Sequence, residues 1–124
     1  MGADWRWLAS TKRLQRVSYG WDWDALGDDV KLVAASLKDN VFAALIELGE
    51  ASREFHWKPW SHDAPWVHRD KLIGELVDVA HFIGNMLVAL RVTDEEWEAA
   101  YQEKQEVNRQ RQIDKYTVEH KERT

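Results

Sequence analysis

Apolar residues recur with a helical period along most of the chain. From Asp28 onward, Leu37, Val41, Ala44, Leu45, Leu48 and Phe55 follow the 3.6-residue repeat, which predicts one long helix reaching about Phe55, with room for a break between Asp39 and Asn40. Residues 72–90 are apolar around most of a helical circumference, the pattern of a buried central helix. Glu75, Asp78, His81 and Asn85 interrupt that stretch, so it does not read as a membrane span. Thr93-Asp94-Glu95-Glu96 reads as a capping box opening a last helix, which runs toward a polar tail at 117–124. Residues 4–17 predict a shorter, weakly amphipathic helix, followed by a turn-rich stretch around Gly20 and Gly27. Pro59 and Pro65 are the two prolines, and both fall within residues 57–68, which marks a single substantial loop. No run alternates apolar and polar residues over strand length, and no repeat is present. The expected fold class is all-α: a helical bundle of about four core helices in one domain over 1–124, with its core at about 28–116.

Composition narrows the functional classes. A length of 124 residues suits one hydrophobic core. Seventeen Lys and Arg against 22 Asp and Glu leave a net charge of −5, which removes the basic footprint of a nucleic-acid binder. Cysteine is absent, which excludes thiol catalysis, disulfides and Cys-ligated zinc. The N-terminus, MGADWRW, carries no apolar signal region, so a soluble cytoplasmic protein with no membrane partner is expected. Eight tryptophans are many for this length and raise the question of what flat surface they contact.

The chemistry-bearing residues are acidic pairs. ELGE at 47–50 puts Glu47 and Glu50 on one helix face, and ELVD at 75–78 does the same for Glu75 and Asp78. Two helices carrying such pairs can supply the several oxygens that a hard divalent cation needs. On the first helix, Glu47, Glu50 and Glu54 lie opposite the apolar stripe, so a solvated acidic face is the plainer reading. Glu75 and Asp78 lie on a helix that is apolar around more than half its circumference, so both are expected to be at least partly enclosed and to need a cation, either Arg or Lys or a metal. Gly49 and Gly74, beside the two motifs, would let the helix backbones approach closely. On the last helix Tyr101, Lys104, Asn108 and Arg111 continue a stripe begun by Trp97, presenting donors suited to a polyphosphate, or simply a solvated face. In the loop, Trp57, Trp60 and Trp66 accompany His56, His62 and His68. Aromatic faces there can stack a nucleobase or cap the core, and the histidine spacing fits no standard zinc pattern. His81 reads as a hydrogen-bonding partner at the edge of the central helix rather than a metal ligand.

These pieces together resemble the all-α nucleotide pyrophosphohydrolases, which comprise the dimeric dUTPase and MazG-like proteins. The resemblance is carried by ELGE at 47–50, WKPW at 57–60, ELVD followed by AHF at 75–82, and YQEKQEVNRQRQIDKY at 101–116. The last is similar to the dimeric dUTPase pattern Tyr-x-x-Lys-x-x-Val-Asn-x-x-Arg-Gln with a closing Tyr. It implies that Glu47, Glu50, Glu75 and Asp78 hold two or more Mg²⁺ ions, with Mn²⁺ able to substitute. It implies phosphate or metal-shell contacts from Lys104, Asn108, Arg111 and Tyr116, and nucleoside contacts from Gln15, Trp57, Lys58, Trp60 and His81. It further implies a homo-oligomer, a dimer or a tetramer. Two positions depart from the pattern: Ile46 stands where many MazG-like members carry Glu, and Lys115 stands where a Gly usually precedes the final Tyr.

The expected reaction is attack of an activated water on the α-phosphorus of a nucleoside triphosphate, releasing pyrophosphate, with Glu47 or Glu50 as the catalytic base. The C-terminal motif favours dUTP; dGTP or dCTP is the alternative within the same chemistry. A different class is a non-catalytic helical interaction module that uses the tryptophans as a partner patch.

Overall fold

The computed structural model describes residues 6–20, 22 and 26–122. Four α-helices are present among them: α1 (Trp7–Tyr19), α2 (Val30–Ala51), α3 (Arg69–Ala89) and α4 (Asp94–Glu122). This is the all-α architecture that the periodicity predicts. The chain divides after Val92 into two compact units, the first holding α1, α2 and α3 and the second α4.

Asp29 starts α2. Its carboxylate accepts the free amide hydrogens of Lys31 and Leu32 at 3.0 and 3.3 Å, satisfying two donors that a helix start leaves unpaired. The helix then runs unbroken through Asp39 and Asn40 and tightens into a 3₁₀ turn at Ser52–Glu54. Phe55 is extended and pairs across to Val67, while His56 N–H donates to Trp66 O and His68 N–H to Glu54 O. These contacts pin the base of the loop. Within it Pro59 occupies a turn closed by Ser61 N–H to Lys58 O at 3.1 Å. α3 ends at Ala89, and in the turn that follows Arg91 has a left-handed φ of 59°, a conformation that costs a non-glycine residue roughly 1–2 kcal/mol. The Arg91 guanidinium meets Asp28 at 3.2 Å, tying this end of α3 to the start of α2.

α2 and α3 pack antiparallel, because Asn40 meets Asn85 while Glu47, seven residues later, meets Asp78, seven residues earlier. The α2 face turned to α3 carries Asn40, Ala44, Glu47 and Ala51, spaced for a single stripe. That face shares Ala44 with the stripe that the hydrophobic pattern selects, but not its larger members. Val41, Leu45 and Leu48 are exposed in this chain, along with Phe42 and Ile46, the last at 64%. Glu47 therefore belongs to the packed stripe rather than to a solvated face opposite it. The buried apolar core is thin: Leu8, Ala44, Ala51, Val79, Val88 and Ala89, with no large side chain fully buried among the described residues.

α1 rests on α3 at Gly84. A Cβ there would meet Trp7 Nε1 at 3.0 Å and Thr11 Oγ1 at 3.1 Å, so a side chain at this position would press both back from α3 by a few tenths of an ångström. Gly49 and Gly74, expected to serve close approach, face open space instead. Gly84→Ala is expected to destabilise the fold by about 1–3 kcal/mol, read as a lower urea midpoint, whereas Gly49→Ala leaves the packing of this unit untouched.

The second unit is one long helix. Thr93 Oγ1 accepts from Glu96 N–H at 3.1 Å, the half of the capping box that the Thr93 side chain supplies. The helix continues through Glu122, so most of the expected polar tail is helical. Arg109 grips Glu106 with two hydrogen bonds at 2.6 and 3.0 Å; each holds the other charged, Glu106 falling below the ordinary carboxylate range and Arg109 rising.

Candidate functional site

The inward stripe of α2 carries one acid and the facing surface of α3 two. Glu47 sits three residues after buried Ala44 and four before buried Ala51. Glu75 and Asp78 stand at i, i+3 on α3. One carboxylate oxygen from each of Glu47, Glu75 and Asp78 lies within 4.8 Å of the others. Glu47 and Glu75 are half-buried, with Glu47 Oε2 and Glu75 Oε2 enclosed and without a hydrogen-bond partner, whereas Asp78, expected to be enclosed, is exposed because it stands at the outer edge of the α3 surface. Within the first unit no described Lys or Arg pairs with these three acids. Glu50 is exposed, and its carboxylate lies beside that of Glu47.

Three acids without a counter-cation repel one another. Burial, first, and then the carboxylates of Glu50, Asp78 and Glu75 push the Glu47 carboxyl above the ordinary glutamate range. The donor set is all oxygen, two of the oxygens are orphaned, and one group is strained toward protonation. This is the chemistry that Mg²⁺ or Mn²⁺ relieves, so the residues fit a hard divalent cation. The linkage sign follows. Folded Glu47 keeps its proton at pH values where the unfolded chain has lost it. Stability of the metal-free protein therefore falls as pH rises from the ordinary glutamate value through the raised one, and the penalty is full above it. Melting in EDTA between about pH 4 and 8 is expected to show that fall, with a flatter profile in Glu47→Gln.

Beside the acids opens a cleft of about 460 Å³, in which Gln15 and Leu14 of α1 meet Glu47, Asp78, His81, Phe82 and Asn85. Gln15 and His81 are thus brought to the acidic cluster. Trp57 and Lys58 are not among its lining: they border another recess, of about 270 Å³, with Arg53, His56 and Trp66. Trp60, 66% exposed, stands edge-on to Trp57 at 5.5 Å. Trp66 lies between the rings of His56 and His68, at 6.5 and 4.7 Å, so two of the loop histidines brace a tryptophan. His68 also meets Glu54 at 3.1 Å.

On α4, Lys104, Asn108 and Arg111 share one exposed face with Tyr101. Tyr116 falls off that face and stacks on His120 at 5.6 Å. Asn40 and Asn85 escaped the sequence reading as site residues. The signal was present: an amide in the middle of each of two apolar helices is costly unless it is paired.

A family model described as dUTPase matches residues 21–98, more than half of the chain. The match contains Glu47, Glu50, Glu75 and Asp78; Gln15 and residues 101–116 lie outside it. No curated protein and no solved structure matches the chain.

Proposed function

Since this chain belongs to the all-α dUTPase family, a family of nucleoside triphosphate hydrolases, we propose that it is a Mg²⁺-dependent diphosphatase converting dUTP to dUMP and pyrophosphate. The observation that carries this reading is the meeting of Glu47, Glu75 and Asp78 from two helices within 4.8 Å, with no cationic side chain among them. Glu47, Glu75 and Asp78, joined by Glu50, would hold the metal, two or more ions. Bound there, Mg²⁺ supplies positive charge that offsets the triphosphate and acidifies water. The chain's own part is to position and to move a proton. Glu47 or, beside it, Glu50 is assigned to accept the proton of the attacking water. The water oxygen bonds to the α-phosphorus as the bond from that phosphorus to the bridging oxygen breaks, and pyrophosphate leaves with the electron pair.

Gln15 and His81 border the cleft and are assigned to the nucleoside. Lys104, Asn108, Arg111 and Tyr116 are assigned to the phosphates by their motif alone, and Trp57, Lys58 and Trp60 to the nucleoside on the same footing. The exposed Phe42, Leu45 and Ile46 of α2 and Ile73, Leu76 and Val77 of α3 are large apolar side chains on the two long helices of the first unit, and they support a homo-oligomer, a dimer or a tetramer. A soluble cytoplasmic location fits this reading.

Pyrophosphate release from a panel of deoxynucleoside triphosphates is the direct test. We expect dUTP to be turned over fastest with Mg²⁺ and turnover to vanish with EDTA. Faster release from dCTP or dGTP would move the substrate within the same chemistry, and no release from any triphosphate would leave a binding module.

A further inference from the structure

Asn40 and Asn85 face each other across the seam of α2 and α3, and both are at least nine-tenths buried. Asn40 Nδ2 donates to Ser36 O at 2.8 Å, and a backbone carbonyl can only accept. The Asn40 amide is thereby keyed one way round, with its Oδ1 toward Asn85. The group that can answer it is Asn85 Nδ2, which donates at 3.1 Å. That fixes the second amide too. Asn85 is left with its Oδ1 enclosed and without a partner, and the residue borders two recesses: the cleft of Gln15, His81, Glu47 and Asp78, and a neighbouring one of about 370 Å³ that it shares with Gln15, Ser36 and Asn40. A lone Asn in a pocket can turn over to offer either a donor or an acceptor. This one offers an acceptor alone.

We infer that Asn85 is a specificity-determining residue whose anchored Oδ1 accepts an N–H from the base of the bound nucleotide, and that Asn40 is the positioning residue that fixes the polarity. The inference rests on the diphosphatase reading above and deepens it. On a pyrimidine's pairing edge, N3 of uracil carries a proton and N3 of cytosine carries a lone pair. An acceptor set against that position attracts the first and repels the second, so it selects uracil both by a bond made and by a clash imposed on its rival. A buried carbonyl that is unpaired in the free protein also gains the most when a ligand donor reaches it.

The probes are the non-hydrolysable α,β-imido analogues of dUTP and dCTP, titrated calorimetrically with Mg²⁺ present. Wild type is expected to favour the uracil analogue. Asn85→Ala should weaken that analogue about tenfold while leaving the cytosine analogue within about twofold, so the ratio collapses. Asn40→Ala, which frees the Asn85 amide to turn, should lower the ratio as well. Equal weakening of both analogues by Asn85→Ala, or no weakening of either, overturns the assignment. Should Asn85→Ala fail to fold, wild type itself decides: the N3-methylated uracil analogue must bind about tenfold more weakly than its parent, and equal binding overturns the assignment. Binding of both analogues with an unmoved ratio removes Asn85 from base selection and leaves the diphosphatase standing. Absence of binding by either analogue, with no triphosphate hydrolysed, removes both.

Discussion

Glu75→Gln is expected to lower Mg²⁺-dependent pyrophosphate release from dUTP by roughly a thousandfold while the helical far-UV signal stays intact. Glutamine keeps the size of the side chain and its place on α3 but gives up the charge that a hard cation needs. The carboxylate of Glu75 is one of three within 4.8 Å, and its Oε2 is enclosed with no hydrogen-bond donor, a cost that a bound cation would offset. The variant should also lose the rise in melting temperature that Mg²⁺ gives the wild type, because a ligand stabilises only the state it binds. Glu47→Gln should behave alike in activity. Glu50→Gln is expected to abolish turnover in its turn, again with the helical signal kept; retained turnover would assign the proton-accepting step to Glu47. Near-normal Mg²⁺-dependent release by Glu75→Gln would overturn the cluster as the seat of the reaction.

Placing a charge on the exposed apolar surface of α2 should have the second largest effect. Leu45→Lys and Ile46→Glu are expected to raise the subunit dissociation constant by more than about tenfold and to convert a micromolar oligomer toward monomer in sedimentation velocity. The physical reason is the thinness of the core. The buried apolar residues are mostly alanine and valine, with Phe42, Leu45 and Ile46 outside, and a second copy covering those three would bury larger side chains than the core does. A wild-type monomer at micromolar concentration would contradict this.

Much of the architecture was legible in the sequence because helical period and caps are local. The Thr93 cap and the long second and third helices follow from residues within a few positions of each other. Which face of α2 turns inward was not legible. That helix is apolar on nearly every side, so periodicity pointed to Val41, Leu45 and Leu48, whereas the stripe of small and polar residues, Asn40, Ala44, Glu47 and Ala51, packs on α3. On a helix apolar on two faces the larger one dominates the periodicity, whichever of them packs inward. The glycines misled for a related reason. Gly49 and Gly74 flank the acids, but close approach depends on a partner helix, and α1 chose Gly84. The acidic motifs were legible as pairs at i, i+3; the pairing of Asn40 with Asn85 was not, since two residues 45 positions apart declare nothing to each other along the chain.

The antiparallel seam has one further consequence. Asn40 and Glu47 on one side, and Asn85 and Asp78 on the other, are both seven residues apart, just under two turns, or about 10 Å along the axis. The two helices thus act as matched rulers, holding amides and acids at a set span on a common edge. A single residue inserted between positions 40 and 47 would swing the acids about 100° away from the amides. Length in that segment is therefore as constrained as composition, and evolution can retouch its side chains far more freely than its count.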